Sequence, residues 1–295
     1  MRRFNKDSAK RVLCQKLPYP AGTRLLWMAA QLPGVTQILR ARLRPIATLT
    51  QLLGQSRMHP DSIQRRHLGL AVLGSWRYCA LTCAPRQVWE HWVTVSALER
   101  ITDPLKSGKR VIVLNSHYGL GHIANVALAR EGIDTVSLLT QNRLDSTYGV
   151  STTGSGEPLH FIELGRGAFQ LQGLARAREA LEQGRVLHLA GDGGRGGNPM
   201  TLPFLHGTRD LRGGFASLAL LTGAEVIPVF STLEPSGRVQ IEFEPALARP
   251  DAKLEQREAI ATMVRAYGKR LEARWRRDPS QVLADQIRQY LDTLE

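Results

Sequence analysis

The chain has 295 residues, of which 43% are hydrophobic and 22% charged, and a formal net charge of +13. These values exclude wholesale disorder, and the length suits one large α/β domain with a sizeable core. The charge is lopsided: between Met1 and Pro60 eleven Lys and Arg residues face one acid, Asp7, so the first sixty residues carry +10 of the +13. A basic end of this kind points to an anionic partner, whether headgroups, nucleic acid or an acidic protein.

Residues 1–100 read as a basic, mainly helical region packing on a core at 101–295. Leu25–Leu39, Ile46–Leu53, Ser62–Leu81 and Arg86–Arg100 carry apolar residues at helical spacing. The most apolar early stretch, Leu25–Leu39, is shorter than the ~20 residues of a spanning helix, and Pro33-Gly34 interrupts it. With arginines on both sides it suits an interfacial helix or a core helix equally. No apolar run with a small-residue cleavage site follows the basic start, which reads against a signal peptide. Three cysteines at Cys14, Cys79 and Cys83 make no disulfide framework, and Cys79 and Cys83 are expected as buried apolar groups on one helix face.

After Gly108 the pattern changes. Arg110–Ser116, Thr135–Thr140, Arg185–Ala190 and Glu225–Phe230 are short β-branched apolar runs, the mark of buried strands. Helical stretches at His122–Glu131, Phe169–Gln183 and Gly213–Thr222 alternate with them, which predicts βαβ units and a mostly parallel central sheet flanked by helices. Val239–Glu244 alternates strictly and is expected at a half-exposed edge. Helices are expected at Leu254–Arg277 and Gln281–Leu294. The Gly-rich segments Ser151–Gly156 and Gly191–Gly197 are expected at the carboxyl side of the sheet, where α/β folds place ligands.

Three places could carry chemistry. His117 directly follows a buried strand, in a Gly-containing turn before a helix, where it can act as a general base or as a satisfied structural histidine. Gly191–Gly197 matches G-x-G-x-x-G, but Pro199 and Pro203 follow instead of a helix, so a polar loop presenting Asp192 and Arg195 is the better reading than a dinucleotide site. Arg166, between two glycines, could reach an anion or stand solvated. His117 and His122 are five apart, which lacks the i, i+4 spacing of a zinc helix, and no nucleophile elbow or P-loop occurs.

The blocks GKRVIVLNSHYG, FIELGRG, GRVLHLAGDGGRGG, LPFLHGTRDLRGGFASLALLTGAEVIPVF and VQIEFEPAL, in this order, resemble the lysophospholipid acyltransferase superfamily and within it the bacterial lipid A biosynthesis acyltransferase branch. The resemblance runs from about Leu98 to Leu247. It implies a glycerolipid-acyltransferase-like fold and transfer of a fatty acyl group from acyl carrier protein or coenzyme A to a hydroxyl or amine of a lipid or small molecule, with no metal or other cofactor. His117 matches the family's general base. Where the family has an acid five residues on, this chain has His122, expected to orient or tune His117. Three readings are open: another acid (Glu163, Asp145 or Asp192) takes over, the reaction is changed, or the chain is an inactive member that binds lipid or carrier protein. Arg166 matches the family's arginine, and Arg195, Asp192 and Glu163 are expected at the substrate. A basic surface suits an acidic acyl carrier and an anionic membrane, so a cytoplasmic protein peripheral on the inner face of the cell membrane is expected. The arginines are interleaved with Leu, Ile and Ala instead of stacking aromatics, which disfavours nucleic acid.

Overall fold

The structure, a computed structural model, describes residues 16–30, 32, 34–35, 60–140, 151–164, 168–193, 199–234, 236–283 and 286–287. Among the described residues three helices come first, α1 (Tyr19–Ala30), α2 (Pro60–Thr82) and α3 (Arg86–Trp92), followed by strand β1 (Val93–Ser96) and helix α4 (Glu99–Lys106). Next come β2 (Val111–Asn115), α5 (Ile123–Arg130), β3 (Thr135–Thr140), β4 (His160–Leu164), α6 (Ala168–Glu182) and β5 (Val186–Ala190). The chain continues through β6 (Pro199–Phe204), β7 (Gly207–Arg212), α7 (Gly214–Thr222), β8 (Glu225–Leu233), β9 (Val239–Phe243), α8 (Gln256–Arg277) and a 3-10 turn at Pro279–Gln281.

Among the described residues seven strands form one sheet in the order β1-β9-β8-β2-β5-β3-β4, parallel except for the β8–β9 pair. Every residue of β2 is buried, as a central strand covered on both faces must be. Its alternate side chains divide the core. Ile112 and Leu114 join residues of α6, α7 and α8 on one face, such as Leu181, Phe215 and Met263. Val111 and Val113 join α2, α4 and α5 on the other, such as Leu81, Ile101 and Val126. Each such aliphatic side chain contributes about 1.5–3 kcal/mol by leaving water. The hairpin β6–β7 is a separate two-stranded sheet, fixed to α8 by an edge-on contact of Phe204 with Trp275 at 5.2 Å.

Several expected elements change. Arg86–Arg100 is not one helix: after two turns the chain straightens into β1, which pairs in parallel with β9. β9 is therefore interior, and β1 is the edge. The sheet thus reaches back before residue 100 and takes a strand from the expected helical region. The loop at Ser151–Gly156 leads into β4 and lies at the amino edge, where the Gly154 N–H donates to the Thr82 carbonyl at 2.8 Å at the end of α2. α2 stops at Thr82, so Cys83 falls outside it and is half-buried while Cys79 is buried; neither forms a disulfide. Pro279–Gln281 is a 3-10 turn where a helix start was expected. Ile46–Leu53, Cys14 and most of 31–39 and 288–295 lie outside the described residues. No helix among the described residues is long and apolar enough to cross a membrane.

Candidate active site

β2 and β5 are neighbours in parallel register, Asn115 opposite Ala190. Their carboxyl ends are tied: the Asn115 carbonyl accepts the Gly191 N–H at 2.8 Å and the buried Tyr267 hydroxyl at 3.0 Å. A Cβ on Gly191 would lie 2.7 Å from the Tyr267 ring, so the close approach requires glycine. Two residues beyond Asn115 stands His117, and two beyond Ala190 stands Asp192.

The two meet. His117 Nδ1 lies 2.8 Å from Asp192 Oδ1, and the His117 backbone N–H donates to both carboxylate oxygens at 3.0 and 2.9 Å. The Asp192 side chain is 1% exposed and that of His117 17%. Burial alone would push the Asp192 carboxyl up. The charge and hydrogen bonds of His117, and the charge of Arg209, outweigh it and hold the carboxyl below its usual range. An ionised Asp192 fixes the proton of the neutral ring on Nδ1 and leaves Nε2 as the basic nitrogen. Burial, with the Asp192 charge adding to it, raises the Tyr267 hydroxyl well above its usual value, so it remains a neutral donor.

The turn after His117 is clamped to its surroundings. Gly119 has φ +61°, and a Cβ there would lie 1.9 Å from the Ser231 carbonyl oxygen. The Gly119 N–H donates to Gln281 at 2.8 Å and the Leu120 N–H to Ser231 at 3.1 Å. Buried Tyr118 donates to the carbonyls of Arg274 and Asp278 at the end of α8.

His122 does not take the place of an acid on His117. Its ring stands edge-on to that of His117, centroids 5.8 Å apart, with Asn115 Nδ2 at 3.4 Å from its Nδ1. Asp192, expected at the substrate and also as one of the acids that could stand in for the missing one, lies at His117 Nδ1 and is buried against it. Glu163 is on β4, with β5 and β3 between it and β2, a separation of about 14 Å at ~4.8 Å per strand. Arg166, Arg195 and Asp145 lie outside the described residues. Where a dinucleotide fold would start a helix after the glycines, this chain runs into β6.

Arg209 went unread in the sequence. It sits on β7, 3.7 Å from Asp192 Oδ2, stacked on Trp275 at 4.7 Å and donating to Gln286. Its only local signal was an arginine at a buried position of a strand whose neighbours are polar.

The geometry stands beside three comparisons. One similar solved structure is the 1-acyl-sn-glycerophosphate (LPA) acyltransferase PlsC from Thermotoga maritima, at 17% identity over 81% of this chain and 96% of that one, with a TM-score of 0.37. No curated protein matches the sequence. The family model of the bacterial lipid A biosynthesis acyltransferases matches residues 75–283, from within α2 through both members of the His117–Asp192 pair to the 3-10 turn. Since that span is well over half of the sequence, the chain belongs to the bacterial lipid A biosynthesis acyltransferase family.

Proposed function

We propose that the protein moves a fatty acyl group from a thioester donor, acyl carrier protein or coenzyme A, to a hydroxyl or amine of a lipid acceptor, with His117 as general base and Asp192 as the group that orients it. The observation that carries this reading is the buried 2.8 Å contact between Asp192 and His117 Nδ1. It restores, from the neighbouring strand, the carboxylate that the sequence lacks at His122.

His117 Nε2 takes the proton of the acceptor hydroxyl as its oxygen attacks the thioester carbonyl carbon. The Asp192 charge stabilises the imidazolium that forms. As the tetrahedral intermediate collapses the carbon–sulfur bond breaks, and His117 returns the proton to the departing thiolate. The products are the acylated acceptor and a free thiol.

Attachment at the inner face of the membrane is part of the proposal. Leu25 and Met28, a turn apart on α1, are 56% and 66% exposed, and Leu32 just beyond is 57% exposed. Beside the positive charge of this end of the chain, they suit a helix lying in an anionic lipid interface.

Thiol release from acyl carrier protein and acyl-coenzyme A, measured with purified protein and anionic lipid acceptors, tests the reading. Transfer is expected to vanish in His117→Ala. Undiminished turnover in that variant would sink the assignment. A folded wild-type protein that binds lipid but transfers from no thioester would favour a binding role.

A further inference from the structure

The large buried arginines of this protein are matched, with one exception among the described residues. Arg130 donates to the carbonyls of Thr82 and Ala84 at 3.2 and 2.7 Å and stacks on Trp89. Arg209 has Asp192, Gln286 and Trp275. Arg274 pairs with Glu242 and Glu244 at 2.7 and 2.6 Å. Arg77, on α2, is 4% exposed. Its Nε is buried without a partner, as are those of Arg130 and Arg209; unlike those two, whose other nitrogens are bonded or ion-paired, its guanidinium meets no carboxylate or hydrogen-bond acceptor among the described residues. The neighbouring Tyr19 hydroxyl donates to the Gly237 carbonyl at 2.7 Å, and burial raises it to about 12, so it offers no negative charge. Burial also pulls the Arg77 guanidinium below its usual value. A fold that encloses a cation without an anion has given up stability, and a ligand that supplies the anion recovers it.

Arg77 lines a cavity of about 440 Å³ between α1, α2 and the carboxyl end of β8, within the ~300–1,000 Å³ range of small-molecule sites. Trp27, Leu70, Leu73 and Leu233 give it apolar walls, and Arg24 and Arg66 are two more cations in its lining. Glu234 also lines it, but its carboxylate accepts from Ser236 and Gln240. Arg66 reaches Asp278 at 3.6 Å while 43% exposed. The cavity is on the same sheet edge as His117, since Gly119 bridges to Ser231, two residues before Leu233.

We propose that this cavity binds a phosphate-bearing amphiphile, with Arg77 on the phosphate, Arg24 and Arg66 adding charge around it, and the Trp27–Leu73 wall against the first carbons of the hydrocarbon. It deepens the acyl-transfer reading by giving one substrate its anchor. The phosphate could belong to an anionic lipid acceptor or to the phosphopantetheine of the donor; the chemistry at Arg77 is the same.

Calorimetric titration with dodecyl phosphate below its micelle concentration tests the site without turnover. It is expected to bind at least tenfold tighter than inorganic phosphate or dodecyl maltoside. Arg77→Met should weaken it tenfold or more while the melting temperature holds or rises, because the variant removes an unmatched buried charge. His117→Ala should bind it as the wild type does, so a dead catalyst and an absent site are told apart. Equal affinity of wild type and Arg77→Met, or no preference for dodecyl phosphate over dodecyl maltoside, would overturn the proposal. If Arg77→Met does not fold, the double variant Arg24→Ala/Arg66→Ala decides: fivefold weaker binding supports the site, and unchanged binding overturns it. Competition by coenzyme A assigns the site to the donor, and lack of competition to the lipid acceptor.

Discussion

Arg209 and Asp192 form an ion pair at 3.7 Å in which both side chains are 1% exposed. The His117 ring meets one carboxylate oxygen of Asp192 and Arg209 faces the other. The arginine is held in turn by the rings of Trp275 and Phe204, at 4.7 and 5.4 Å. The β6–β7 hairpin and α8 therefore help keep the carboxylate charged beside His117 Nδ1. Buried charges of this kind are little screened by salt.

Removing Arg209 should raise the Asp192 carboxyl, since one of the charges that hold it down is lost. In Arg209→Met the acid limb of the activity profile is expected to move to higher pH and kcat to fall about tenfold, a loss of ~1.4 kcal/mol. Breaking the buried pair should also cost roughly 3 kcal/mol of stability. Arg209→Lys should restore part of the pH profile. A pH–rate series on the three proteins checks this, and an acid limb that stays put would show that Arg209 serves packing alone.

The two neighbours of His117 should differ sharply in weight. Asp192→Asn keeps an acceptor for the His117 backbone but loses the charge that sets the tautomer and stabilises the imidazolium. A fall in kcat of about 10³–10⁴ with little change in KM is expected. His122→Ala, which leaves the Asp192 contact intact, should cost less than about tenfold. Steady-state kinetics on both variants decide; the reverse ranking would return the orienting role to His122.

Stability should fall in two steps as acid is added. His188 is buried in β5 with Ser137 Oγ at 3.0 Å from its Nδ1, and desolvation pulls it down to about 4. The unfolded ring takes a proton near 6.5 while the folded one does not, so stability is full above that value and declines from about 6.5 to about 4, by on the order of 3 kcal/mol. Asp192 acts in the same direction at lower pH: its carboxyl is lowered, so its contribution is present above the usual carboxylate range and is lost as the pH falls below it. Urea melts across pH 7 to 3 check the sequence of losses, and His188→Gln should reduce the upper step by about half, since His67, also pulled down to about 4 by burial, contributes to the same decline.

Gly119→Ala should do more damage than its size suggests. The positive φ alone costs an L residue about 1 kcal/mol, and the new Cβ would drive into the Ser231 carbonyl at 1.9 Å. At least about 3 kcal/mol of lost stability is expected, together with lower kcat, because this turn carries His117. Thermal unfolding and turnover of the one variant test both.

The central strands were legible because burial on both faces demands short β-branched runs, and Val111–Asn115 and Val186–Ala190 are such runs. β1 was not: Trp89, Trp92, Val93 and Val95 fit a helical stripe as well as a strand, and only pairing with β9 decides between them. β7 was hidden by its polar side, with Thr208, Asp210 and Arg212 alternating with buried Arg209 and Leu211. His117 was visible from its place after a strand. Its partner was visible only as one of three candidate acids, Glu163, Asp145 and Asp192, with nothing to choose among them. His117 and Asp192 are 75 residues apart, and nothing local says that β2 and β5 are adjacent. Strand order is the missing quantity, and it depends on packing across the whole sheet.

The pairing of Asn115 with Ala190 has a consequence for tolerance to change. A strand slip of one residue moves the chain by about 3.3 Å and reverses which face each side chain meets. Such a slip in β5 would carry Asp192 out of reach of His117 even with every side chain at the site unaltered. On the proposed mechanism, the alignment of two strands is thus a ruler for proton transfer. Substitutions deep in β5, at Val186 or Leu187, that loosen its register should impair turnover before they unfold the protein.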